Sequence, residues 1–158
     1  MANTMPVTIA RESPASADLI LLFSRHTADM HADTPPGSIH MMDAFELDGP
    51  AVHFFVARDA GQPLAMAAFK RLGGAQAEIK SMHVLIEARG RGLSKTLLAH
   101  VEAAAKADGV RRLSLETGVQ PTFVAARALY ETAGYTVCGP FEGYTDDPNS
   151  LFMTKVLG

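Results

Sequence analysis

Between an alternating run, Ala77 to Ile86 (AEIKSMHVLI), and a long amphipathic stretch, Leu93 to Asp108, lies the decapeptide Glu87 to Thr96, EARGRGLSKT. Leu93, Leu97, Leu98, Val101, Ala104 and Ala105 form one apolar stripe at helical spacing, and Glu102 and Lys106 add an i,i+4 pair on the other side. Gly109 ends this helix, and Val110 to Glu116 reads as the next strand. A strand, a crossover helix and a second strand predict two parallel neighbours in one sheet, joined with right-handed sense. The rest of the chain has to be built around that unit.

Upstream of it, Ser13-Pro14 reads as a helix start, and Leu19, Leu22, Phe23 and His26 extend a helix over roughly 14–28. Asp33-Thr34-Pro35-Pro36-Gly37 is a run of turn formers, followed by a short helix near Asp43 to Leu47. Val52 to Arg58 and Leu64 to Arg71 are strand-like and flank Asp59-Ala60-Gly61-Gln62-Pro63, which predicts an antiparallel hairpin that Ala77 to Ile86 continues. Downstream come a helix over Thr122 to Ala133 closed by Gly134, a short strand Tyr135 to Cys138, an irregular stretch Gly139 to Ser150, and a last strand, Leu151 to Val156. With no internal repeat or linker, residues 1–158 read as one α/β domain: a mixed, mostly antiparallel sheet flanked by helices.

Composition removes several function classes. The apolar runs, such as Leu19 to Phe23, are far below the ~20 residues that cross a bilayer, and Met1 to Arg11 lacks a leader pattern. One cysteine, Cys138, excludes an intrachain disulfide and a cysteine-based zinc cluster; it reads as a small buried apolar residue in a soluble, cytoplasmic protein. A net charge of -3, from 14 basic and 17 acidic residues, argues against nucleic acid as the main partner. His26, His31, His40 and His53 are too scattered to imply a metal site, and Met41-Met42 and Phe54-Phe55 read as core or dimer contacts.

The decapeptide carries the chemistry. Gly90 and Gly92 let backbone N–H groups approach a ligand closely, just where a helix begins with unpaired amides and a positive dipole end. Arg89, Arg91 and Lys95 add positive charge, and Ser94 and Thr96 add hydroxyls, a set suited to a pyrophosphate. A plain solvated turn would also use glycine and arginine here. Two nucleotide-loop patterns fail, because glycine is missing at Arg89 and Ser94 for one and at Lys95 for the other.

Arg89-x-x-Gly92-x-Ser94 on a strand-to-helix turn resembles the acetyl-CoA pyrophosphate loop of the GNAT N-acetyltransferase family, with serine at a position usually glycine or alanine. Ala128-Leu129-Tyr130-Glu131-Thr132-Ala133-Gly134-Tyr135 is similar to a second segment of that family, with Tyr135 in place of phenylalanine. The resemblance covers roughly residues 50–138 and implies the GNAT fold, acetyl-CoA as acetyl donor, and a small-molecule or peptide amine as acceptor. It assigns cofactor binding to the loop Arg89, Gly90, Arg91, Gly92, Leu93, Ser94 and Lys95, and to the strand Met82-His83-Val84. It sets Tyr130 near the CoA sulfur, as the acid for the leaving thiolate, and makes a homodimer an expected assembly. No metal is implied.

Direct acetyl transfer needs a base for the amine, donors for the carbonyl oxygen and an acid for the thiolate, but no enzyme nucleophile. Glu78 and Glu116 are the carboxylates best placed for the base, with His83 a third candidate. Tyr144, Asp146 and Asp147 of the irregular stretch could line an acceptor pocket, or serve as ordinary turn chemistry. Two other classes compete with the enzyme: a CoA-binding sensor without turnover, and a nucleotide-binding protein using the same loop.

Overall fold

The computed structural model describes residues 7–158, so part of the Met1 to Arg11 leader reading lies outside the described residues. Seven strands form one sheet in the order β1-β2-β3-β4-β5-β7-β6, with β1 Val7–Arg11, β2 Val52–Asp59, β3 Gln62–Arg71, β4 Gln76–Val84, β5 Arg112–Gly118, β6 Thr136–Cys138 and β7 Ser150–Val156. All pairings are antiparallel except β4 with β5, which the crossover helix α3 (Leu93–Ala107) joins in parallel. α1 is Ile20–Asp33, α2 Ala44–Leu47 and α4 Val124–Thr132.

Two apolar layers hold the sheet. Phe55, Phe69, Leu97, Val101 and Leu113 belong to the layer under α3 and α4, whereas Leu22, Leu47, Phe54 and Met66 belong to the one under α1 and α2. Phe54 and Phe55 therefore fill opposite cores, as adjacent residues of a strand must. The α3 stripe is buried as expected at Leu93, Leu97, Leu98, Val101 and Ala105, each leucine contributing about 1.5–3 kcal/mol.

Three details correct the sequence reading. The first helix starts at Ile20 rather than near 14, because the Ser13 hydroxyl accepts from Ala15 N–H in a tight turn instead of capping a helix. It then runs on to Asp33, until Pro35 holds Thr34 in an extended conformation (φ -109°, ψ 129°). β1 adds an edge strand that the short run Val7–Arg11 did not announce, and Cys138 is half-buried rather than buried. The α2 start does follow its sequence logic: Glu46 N–H donates to Asp43 Oδ1 at 2.8 Å and Asp43 N–H to Glu46 Oε1 at 3.4 Å. Among the described residues no helix is long and apolar enough to cross a membrane.

Two irregularities position the site. β4 pairs with β5 only from Gln76 to Glu78, after which the two strands separate and leave a wedge between their carboxyl ends. Opposite, β4 carries an extra residue against β3: His83 faces Met66 and Lys80 faces Ala68, with Ser81 in a left-handed conformation at φ 57°. This bulge shifts the side-chain alternation by one. Glu78, Lys80 and His83 consequently share the face toward α1, which a regular strand could not arrange.

Candidate active site

The wedge opens into a cavity of about 380 Å³ whose wall runs from the α3 amino terminus to the carboxyl end of β5. At its α3 end, Gly90 and Gly92 take positive φ (85° and 73°), and a Cβ at either would meet no atom within 4 Å. Their absence of side chains serves backbone conformation and leaves the approach open. The first helical bond runs from Thr96 N–H to Gly92 O at 3.1 Å, so the N–H groups of Leu93, Ser94 and Lys95 ahead of it have no helical partner. Arg89 lines the cavity, donating to Val84 O at 3.3 Å and pairing with Asp29 at 3.5 Å. Gly90, Gly92, Leu93 and Ser94 line it too; Arg91 instead pairs with Asp59 at 2.9 Å, and Arg91 and Lys95 lie outside the lining.

The strand residues Met82, His83 and Val84 form the adjoining wall. His83 is 6% exposed, its Nε2 has no hydrogen-bond partner among the described residues, and its Nδ1 lies 3.8 Å from Asp29. Burial pushes its pKa down, with Asp29 opposing, so the ring favours the neutral form. His26 packs edge-on against it at 5.3 Å and is held at about 4 by burial. Among the described residues no cluster of His, Cys, Asp and Glu could hold a metal ion.

Tyr130 reaches the cavity from α4, 5% exposed, its ring edge-on to Tyr135 at 5.7 Å. Its hydroxyl makes no hydrogen bond to another described residue, and burial raises its pKa.

At the β5 end, Glu78 (4% exposed) accepts from the Tyr144 hydroxyl at 2.5 Å and pairs with Lys80 at 3.2 Å. Lys80 also donates to Tyr144 Oη at 3.0 Å and His40 O at 3.2 Å. Glu116 lines the same space; among the described residues only Ser150 Oγ donates to it, at 3.0 Å, and burial lifts its pKa to about 7. Asp147 is outside the lining, where its Oδ1 accepts from Asn149 N–H at 2.9 Å in a turn. Asp146 is exposed and likewise outside the lining.

The sequence reading missed Lys80, Asp29 and Phe123 as cavity residues. Lys80 left a signal, since Gln76, Glu78 and Lys80 alternate with Ala77 and Ile79 and so mark one polar face of the strand. Phe123 left none. A Cβ on Gly118 would lie 2.3 Å from the Phe123 ring and 2.6 Å from Gln120 Oε1. Gly118→Ala should therefore displace this cavity wall and lower stability by about 1–3 kcal/mol in urea unfolding; an unchanged midpoint would contradict that packing.

The profile of the Acetyltransferase (GNAT) family matches residues 21–135. The uncharacterized N-acetyltransferase YsnE of Bacillus subtilis is 39% identical over 88% of this chain and 92% of its own. The IAA acetyltransferase of Azospirillum brasilense is 40% identical over 96% and 98%. Among solved structures, the PaiA N-acetyltransferase of Thermoplasma acidophilum, in complex with coenzyme A, has a TM-score of 0.73 at 16% identity, covering 96% of this chain and 99% of that one, a likeness of fold alone. The family profile and these relatives agree: the chain belongs to the GNAT family and is an N-acetyltransferase.

Proposed function

We propose that the chain transfers the acetyl group to a small primary amine by direct attack, with Glu116 as base and Tyr130 as acid. The observation that supports this most is that both groups line one cavity yet are tuned differently: a carboxyl titrating at about 7 and a phenol held protonated. Acetyl-CoA supplies an activated thioester on a pyrophosphate-bearing handle. The free N–H groups from Leu93 to Lys95, with Arg89, suit the pyrophosphate, and the open positions of Gly90 and Gly92 give it room. Past Glu78 the β5-facing edge of β4 has no strand partner among the described residues, so its N–H groups are available to the thioester carbonyl. Glu116, directly or through one water, takes a proton from the ammonium. As the new C–N bond forms the C–S bond breaks, and Tyr130 gives its proton to the departing sulfur; the second proton of the attacking nitrogen then passes to the Tyr130 phenolate, leaving a neutral amide, a free thiol and Tyr130 protonated again. Glu78, already paired with Lys80, orients rather than accepts. A single cysteine and mild net charge fit a reducing, cytoplasmic setting.

Calorimetric titration with acetyl-CoA tests the donor side. Binding should weaken by about tenfold or more in Arg89→Glu, where a charge-assisted contact becomes repulsive. Equal affinity in the variant would remove Arg89 from the donor site. Thiol release across an amine panel tests turnover; tight acetyl-CoA binding without release from any amine would favour the sensor.

A further inference from the structure

We propose that Lys80 sets the acceptor class: by neutralising Glu78 inside the cavity, it fits this half to a compact monoamine with an apolar or aromatic body and no carboxylate. This rests on the acetyl-transfer reading above and names the substrate class it leaves open.

The cationic donors of this half of the cavity are already committed. Glu78 is almost wholly buried, and its Oε2 takes both the Tyr144 hydroxyl and Lys80. An ammonium has three N–H bonds, and those of Lys80 have three acceptors within reach: Glu78 Oε2 at 3.2 Å, Tyr144 Oη at 3.0 Å and His40 O at 3.2 Å. Among the described residues lining the cavity, the other lysine or arginine is Arg89, at the donor end and engaged with Val84 O and Asp29. A carboxylate on the acceptor would thus be desolvated beside Glu78 and Glu116 with no spare cation to meet it. A second ammonium on the acceptor fares little better, because Glu78 is already paired. What remains anionic is Glu116, one seat for one amine. Met41, Phe123 and the Tyr144 ring also line the cavity, surfaces for a hydrocarbon or aromatic body. The acceptor must be compact, because the 380 Å³ also has to take the reactive end of the donor.

The experiment compares kcat/KM for phenethylamine, phenylalanine and 1,4-diaminobutane at saturating acetyl-CoA, by thiol release. In the wild type phenethylamine should exceed both others by about tenfold or more, since each competitor brings an unmatched charge into the cavity. In Lys80→Met the freed Glu78 becomes a second anionic seat, and the diamine-to-monoamine ratio should rise by about tenfold. Lys80→Arg should keep the wild-type order. Thermal melting and acetyl-CoA titration establish that Lys80→Met is folded; if it is not, the wild-type order decides. Phenylalanine matching phenethylamine, or an unmoved ratio in folded Lys80→Met, overturns the assignment to Lys80 while leaving acetyl transfer intact. Release from none of the amines overturns acetyl transfer itself, and this inference with it.

Discussion

Glu116→Gln is expected to lower kcat/KM for the acceptor by roughly 10²–10⁴-fold, the usual worth of a positioned base, and to raise thermal stability at pH 8. Both effects come from one cause. Burial at the wedge lifts the Glu116 carboxyl from 4.5 to about 7, with the Ser150 hydrogen bond and Lys80 opposing and Glu78 adding to it. A base poised near neutrality can both take a proton and give it up. The wild-type profile should fall below pH about 7 as Glu116 protonates, and the glutamine variant should lack that limb. The acceptor chosen must titrate well above this range.

The stability sign follows from linkage. The folded carboxyl binds its proton more tightly than the unfolded one, so its contribution is fully present below pH 4.5 and is lost as pH rises through about 7. Above that, ionised Glu116 costs on the order of 3 kcal/mol relative to a neutral isostere. The glutamine variant should gain most of this at pH 8 and little at pH 5, read as melting temperature at both values. A residue there only to hold Ser150 would behave oppositely: its loss would destabilise at both pH values and spare kcat/KM.

How much of this was legible beforehand depends on the physical origin of each feature. The crossover unit, α3 and the hairpin follow from periodicity, which is local, and the structure has them at almost the expected boundaries. The loop proposed for the donor stood out in the sequence because glycine at positive φ and a helix start leave a chemical signature there. The bulge left none. Ser81 adopts φ 57° without being glycine, and the phase shift that puts Glu78, Lys80 and His83 on one face is a property of two strands, not one. Tyr144 could be named as a pocket residue from composition, but its bond to Glu78 spans 66 positions. Proposing Glu116 rather than Glu78 as base rests on burial and partners: Glu78 has a lysine against it, whereas among the described residues the hydrogen-bond partner of Glu116 is a serine hydroxyl. No reading of residue types could separate them.

Tyr130→Phe should reduce kcat by about 10²-fold or more, with acetyl-CoA affinity and melting temperature nearly unchanged. The substitution removes one oxygen and keeps the ring, so the edge-on contact with Tyr135 survives. Because the Tyr130 hydroxyl has no hydrogen-bond partner among the described residues, no buried group is left unsatisfied and the fold loses little. An aromatic serving only as packing would therefore show no kinetic effect at all. Burial holds the phenol protonated across the working pH range, so Tyr130 should add no basic limb to the profile. The same desolvation acts on a thiolate leaving beside it: a sulfur anion deprived of water needs a proton more urgently, which keeps transfer between the two favourable. The measurement has to use an acceptor for which chemistry, not product release, limits turnover, checked by the absence of a pre-steady-state burst. An unchanged single-turnover rate under those conditions would take the acid role away from Tyr130. A fall in rate accompanied by loss of acetyl-CoA binding would instead make the hydroxyl a donor-binding group.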